Sequence, residues 1–412
     1  MSAELAIDEG RLVAFASEAI DTPSFTGSEQ AMGELMARTL EERGLEVAWQ
    51  EVEEGRPNVL GTLPGAGGGA SLMFNGHLDT SYSGNEPWLA GVAGFQPHAF
   101  VKNGRLFGLG ISNMKGALAC YVEALSALRD AGVRLRGDVL LAAVCGEIEK
   151  TQWGDEARGP AYRGYGAGSR HLVTHGGVAD MCILGEPTES KLVLAHFGSL
   201  WMRISTRGDF IHTAFSEGKR GRNSILRMHE LLDAVLEWIP SWESDPENAC
   251  DGVPAIVNVG AIAGGFPWRV SRTPHRTDLF LDVRVPPRKP MAAARAQMLE
   301  MVRSLARRFP DFEVEGEVYL TAPGAEIEAS HPLVAALESA HAQVFGATPM
   351  RDVTRWYSDA SALSRAGIAT VNYGTSTGLL DTTDGENLDI EGLVRTARVY
   401  ALAAMELCGV AG

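Results

Sequence analysis

Apolar positions recur at helical spacing over residues 8–20 and again over 28–43, where Gly44 supplies a stop. Two short apolar runs follow, PNVLGTL at 57–63 and ASLMFNG at 70–76, and both read as strands. The second is almost wholly apolar, as a strand buried on both faces is. A helical stretch at 115–131 precedes the strand DVLLAAV at 138–144, and MCILG at 181–185 reads as a further strand. Strand–helix alternation with apolar strands predicts an α/β fold built on a parallel-rich mixed sheet.

The middle of the chain changes character. Residues 199–207 alternate like a half-buried strand, 223–239 are helical, 255–262 and 277–285 are strands, 290–309 is a helix and 312–319 a strand. That order, βαββαβ, is the ferredoxin-like α+β unit. Helices at 331–345, 359–366 and 389–407 and the strand ATVNYG at 369–374 then resume the first pattern. The reading is one α/β domain, residues 1–197 and 318–412, with a second domain inserted at 198–317.

Composition narrows the function classes. The 412 residues carry a formal net charge of −16, which argues against nucleic acid and anionic membrane surfaces as partners. No apolar run reaches the ~18 residues of a membrane-spanning helix. The first residues, MSAELAIDEGRLVAF, lack the pattern of a secretory leader. Five scattered cysteines with no C-x-x-C pair read as buried thiols of a reducing compartment, so the expected location is cytoplasmic.

Polar residues follow the apolar strands at several points. Gly76-His77-Leu78-Asp79 ends the run at 70–76. There His77 could ligate a metal, with the Asp79 carboxylate orienting its imidazole. Alone, G-H-x-D is short, and a polar loop holding a satisfied histidine would show it too. Gly108-Leu-Gly110-Ile-Ser-Asn113-Met-Lys115-Gly116 enters the helix at 115–131 but is a poor phosphate cradle, lacking the third glycine. Glu147 follows DVLLAAV and Glu186 follows MCILG. Each acid alone reads as a solvated loop residue. Three strand ends delivering His, Glu and Glu together suit zinc, manganese or cobalt, because α/β sheets bind ligands at the carboxyl ends of their strands.

The full order resembles the metal-dependent aminoacylase, acetylornithine deacetylase, succinyl-diaminopimelate desuccinylase and carboxypeptidase G family. The order is G-H-x-D, the Gly108–Gly116 segment, a strand then Glu147, Gly185-Glu186-Pro187-Thr188, and the inserted βαββαβ domain. Asp209-Phe-Ile-His212-Thr, Leu281-Asp-Val-Arg284 and Ser358-Asp359-Ala360 extend the match. The resemblance implies hydrolysis of an amide C–N bond in a small carboxylated substrate, and an insert that serves as dimerisation and lid domain of a homodimer. In that family two zinc ions are normally bridged by an aspartate and a water. His77 and Glu186 match ligands of the first metal, Asp79 the aspartate behind the histidine, and Glu147 the general base.

Three positions depart from the family. Asn113 stands where the bridging aspartate belongs, and Ile148 where a second-metal glutamate belongs. Thr382, or Asp381 after a one-residue shift, stands where the second-metal histidine belongs. Each change removes or weakens the second metal site, so one divalent ion per chain is expected, Mn or Zn with Co as a further option. His77 and Glu186 hold it, with Asn113 or Glu149 as further ligands.

His212 matches the histidine that stabilises the oxyanion from the partner subunit. Arg269 and Arg272 could clamp a substrate carboxylate through bidentate bonds. The loop Gly374-Thr375-Ser376-Thr377-Gly378 could offer it backbone N–H groups. Phe266, Trp268, Trp356 and Tyr357 flank these segments and hint at a flat substrate. Two other readings stay open: a hydrolytic deaminase of an activated aromatic amine, as in the nitroanthranilate aminohydrolase branch, and an inactive binding protein with this fold.

Overall fold

A computed structural model describes residues 5–375 and 385–412. Two compact units emerge. One comprises Met1–Leu194, Glu326–Asp352 and Ser358–Gly412, and the other Ala195–Ala325 with Val353–Tyr357.

In the first unit the central strands run in the order Glu46–Glu53, Arg56–Leu63, Val139–Val144, Leu72–His77, Met181–Leu184, Ala369–Asn372 and Leu192–His196. Leu72–His77 is parallel to both of its neighbours, and Ala369–Asn372 is parallel to Met181–Leu184. The strands on either flank pair antiparallel. The sheet is therefore mixed and parallel at its centre. Leu72–His77 is buried at every position, because helices cover both faces.

Alternation along this strand sorts its side chains between those faces. Phe74 stacks on Tyr121 of the helix Gly116–Asp130 at 4.8 Å between ring centres. Tyr400, from the helix Ile390–Cys408, packs against both rings. Asn75 and His77 point to the opposite face. Gly76 shares the Phe74 side, where a Cβ would lie 2.7 Å from the Met114 side chain and 2.9 Å from Leu118, so a larger residue would push both aside.

The second unit has four antiparallel strands in the order Val257–Gly264, Arg276–Val285, Gly198–Arg207, Val314–Ala322. Numbered along the chain this is 2-3-1-4, the ferredoxin-like order. The helices Ser224–Glu243 and Met291–Arg308 follow the first and third of these strands. Ala294, Met298, Met301, Val302 and Leu305 fall at i, i+4, i+7, i+8 and i+11 and form the buried stripe of the second helix. Among the described residues, no helix is long and apolar enough to cross a membrane.

Candidate metal centre

Three neighbouring parallel strands end side by side. His77 closes its strand opposite Val144, and Asn75 stands opposite Leu184. The chain leaving Val144 reaches Glu147 after a turn at Gly146, whose φ of 65° favours glycine. The chain leaving Leu184 reaches Glu186. Ligand atoms of His77, Glu147 and Glu186 lie within 4.8 Å of one another, and all three residues are buried. Among the described residues this is the only such group of three or more His, Cys, Asp or Glu.

The imidazole fixes the character of the pocket. His77 Nδ1 lies 2.8 Å from the Asp79 backbone oxygen, which can only accept, so Nδ1 carries the proton. Nε2 then faces three oxygens: Asn113 Oδ1 at 2.9 Å, Glu147 Oε2 at 3.9 Å and Glu186 Oε1 at 4.0 Å. Glu186 Oε1 is buried and makes no hydrogen bond among the described residues. Acceptors converging on a ring nitrogen call for a cation. Imidazole with two carboxylates is a donor set that fits a divalent transition metal.

The acids show the same demand. Burial, with the Glu186 charge nearby, pushes Glu147 well above the usual carboxylate range. Burial raises Glu186 to about 7, although His77 opposes it. Burial works against a charged His77 ring, yet Glu186 and Asp79 keep its pKa above the ordinary value. A further acid, Asp359, is raised to about 6 by burial while the Ser169 hydroxyl donates to it at 2.6 Å.

Asp79 works differently from expectation. Its carboxylate stands 3.7 Å from His77 Nδ1, while its backbone carbonyl makes the bond that orients the ring. The carboxylate is engaged elsewhere. It accepts the N–H of Glu147 at 3.0 Å, the N–H of Ile148 at 3.3 Å and the Thr26 hydroxyl at 2.9 Å. Glu147 also lies beyond the strand, which ends at Val144, so strand alternation does not pair its direction with that of Glu149. Glu149 is half-buried and outside the three-residue group.

Asn113 sits in the tight turn Ile111–Lys115 with non-helical φ and ψ, followed by a cis bond to Met114. Ile148 is buried. Gly374 is not available as an amide donor to substrate, because its N–H already donates to the Thr188 hydroxyl at 3.0 Å. Thr375 is buried and its hydroxyl oxygen has no hydrogen-bond partner among the described residues. Ser376, Asp381 and Thr382 lie outside the described residues.

His212, Arg269 and Arg272 belong to the second unit. His212 Nδ1 accepts the Ala214 N–H at 3.1 Å, which leaves the proton on Nε2 and makes that atom a donor. A backbone bridge pairs His212 with Arg272. The Arg272 guanidinium lies 5.2 Å over the Phe210 ring, and its Nε has no hydrogen-bond partner among the described residues. Arg269 is exposed. The four aromatics singled out in the sequence all fall in this unit. Phe266 packs on the exposed Trp268, and His196 packs against Trp356 and Tyr357.

Sequence reasoning missed the supports. The Ser24 hydroxyl donates to the Leu78 carbonyl at 2.7 Å, and Thr26 and Thr80 exchange backbone bonds with this loop. Fully buried Arg56 grips Glu29 through Nε and a second nitrogen at 2.9 and 2.7 Å, and donates to the Arg163 carbonyl. A Cβ on Gly146 would lie 2.5 Å from the guanidinium, so this ion pair packs directly behind the turn that carries Glu147. The run Ser24-Phe-Thr26-Gly-Ser-Glu29 has the look of a helix entry, and nothing local shows that it braces a distant loop.

Residues 73–406 match the peptidase family M20/M25/M40. The chain belongs to that family. It is 28% identical over 333 residues to an acetylornithine deacetylase of Photorhabdus laumondii, covering 80% of this chain and 79% of that protein. It is 27% identical over 394 residues to the N-formyl-4-amino-5-aminomethyl-2-methylpyrimidine deformylase of Bacillus subtilis, covering 88% and 86%. The fold superposes on aminopeptidase PepT from Bacillus cereus with a TM-score of 0.75 at 21% identity, covering 97% of this chain and 99% of that one. Human carnosine dipeptidase 1 gives 0.72 at 15% identity, with 97% and 96% covered. This member of the family is a metal-dependent hydrolase of carbon–nitrogen bonds.

Proposed function

We propose that the chain cleaves the amide bond of a small carboxylated substrate, an N-acyl amino acid or a dipeptide, with one Mn or Zn ion per chain. The observation that carries this reading is the His77 Nε2 atom ringed by acceptor oxygens of Asn113, Glu147 and Glu186. His77 and Glu186 hold the metal, and Asn113 and Glu149 offer further oxygens. A divalent ion bound there supplies Lewis-acid polarisation and makes water more acidic.

The chain's own groups do the rest. Glu147, whose raised proton affinity suits a base that later becomes an acid, takes the water proton and passes it to the leaving nitrogen. Asp79 holds Glu147 in place through its amide. His212 Nε2–H, supplied by the partner of a homodimer, donates to the developing oxyanion. Arg269 or Arg272 takes the substrate carboxylate; the Nε of Arg272, which has no hydrogen-bond partner among the described residues, favours Arg272. The edge strand Val257–Gly264, largely exposed, is the surface that pairs with its copy. The burial of all five cysteine thiols supports a reducing, cytoplasmic setting.

The test counts metal and product in one sample. Elemental analysis of Mn- or Zn-saturated protein should give about one activity-linked ion per chain, as a mononuclear site does. Amine release should appear with N-acyl amino acids or dipeptides. Two tightly bound, activity-linked metals would overturn the mononuclear reading. Ammonia release from anthranilate-like amines alone would overturn the amide reading. Asn113→Asp should not create a second site, because Ile148 still supplies no ligand.

A further inference from the structure

We propose that Glu386 is a positioning residue that holds Asn113 on His77. The inference rests on the reading above, in which Asn113 faces the metal. Glu386 is buried, and its Oε2 accepts the Ser112 N–H at 3.0 Å. The amides of Gly110 and Asn113 also face this carboxylate and hold its proton affinity down against burial. Its backbone is stitched to the same region: Gly108 N–H donates to the Glu386 carbonyl, and the Glu386 N–H donates to Gly94.

These contacts answer a specific need. The segment Gly108–Lys115 is an irregular turn: the Ile111 and Lys115 amides find carbonyls within it, while the Ser112 N–H turns to the Glu386 carboxylate. Gly110 has a φ of 84°, and a Cβ there would meet Thr80 at 2.6 Å, so this corner of the turn calls for glycine. One carboxylate that accepts the Ser112 N–H and faces the neighbouring amides holds the backbone at this corner. Lys115 pins the far end, donating to the Ala19 and Thr22 carbonyls at the end of the helix Glu9–Asp21. Asn113 lies between these anchors, with Oδ1 2.9 Å from His77 Nε2. Glu386 bonds the backbone of this turn and stays one layer removed from the acceptor oxygens around Nε2.

Binding of Mn2+ alone to metal-stripped full-length protein, measured by calorimetry, tests the idea. Glu386→Ala should weaken Mn2+ binding by about tenfold or more, the usual cost of losing a group that orients a ligand. Glu386→Gln should stay within about threefold of the parent, because its amide oxygen still accepts the Ser112 N–H. The Glu386→Ala/Asn113→Ala double variant should bind no more weakly than Asn113→Ala alone, because coupled residues are not additive. Hydrogen exchange at the Ser112 and Asn113 amides should quicken in Glu386→Ala. If Glu386→Ala does not fold, Glu386→Asp replaces it, one methylene too short to reach Ser112, and the same weakening is expected. Parent-like affinity in the shortened variants, or losses that multiply in the double variant, overturns the proposal while leaving the metal reading intact. Unchanged affinity in Asn113→Ala would instead sink the reading of Asn113 and this proposal with it.

Discussion

The Asp79 carboxylate accepts the Glu147 amide N–H at 3.0 Å, while the Asp79 backbone carbonyl orients His77. One residue thus holds His77 with its main chain and Glu147 with its side chain. The two duties separate by mutation. Asp79→Asn keeps the carbonyl but offers one oxygen and one NH2 to three donors: Glu147 N, Ile148 N and the Thr26 hydroxyl. Turnover should fall by about 10–100-fold with metal content unchanged. Metal loss as the main effect would mean that the carboxylate governs His77 after all.

Glu147→Gln separates base from ligand. As the base, its loss should cost roughly 10²–10⁴-fold in kcat, with metal content and KM little changed. If the variant releases metal and Glu149→Gln is the metal-loaded, inactive one, the two acids exchange roles.

The histidine of the second unit can be tested by mixing chains. His212→Ala and Glu147→Ala chains should each be inactive. In a heterodimer one site would lack both groups and the other would lack neither, so activity should reappear up to about half the parent level. Verified heterodimers without recovery would place His212 at its own chain's site or outside the chemistry.

Buried acids give the metal-free protein a characteristic pH response. Glu186 and Glu386 are each raised to about 7 and Asp359 to about 6, all by burial. A raised carboxyl pKa means that the folded state holds its proton more tightly than the unfolded chain does. The stability this gives is complete below about pH 4 and is lost as pH rises through 6 and 7. The melting temperature of metal-stripped protein should therefore fall between pH 5 and 7.5. Saturating Mn2+ should flatten that slope, since bound metal replaces the protons. A melting temperature that climbs over this range without metal would show that these acids are ionised at little cost.

Legibility in the sequence followed local signal. His77, Glu147 and Glu186 were readable because each comes just after an apolar run that could only be a buried strand. The strand Glu46–Glu53 was not, because none of its residues is buried and it carries no apolar run. The βαββαβ order was readable from periodicity alone, whereas the capture of Val353–Tyr357 by the second unit was not. Asp79 was found but given the wrong atom, since spacing cannot tell a carbonyl from a carboxylate. Thr26, Arg56 and Glu386 act across 53, 27 and 274 positions of chain, through contacts that no short window holds.

That last separation bears on biosynthesis. A nascent chain of 300 residues already carries His77, Glu147 and Glu186. It still lacks the strand Ala369–Asn372, which lies against Met181–Leu184, and Glu386, which braces the turn of Asn113. Pairings of such long range form late, because the loop they close is costly. The Asn113 turn therefore gains its brace only once residue 386 has been made, well after His77, Glu147 and Glu186, so the oxygen nearest His77 Nε2 is the last of the group to be fixed.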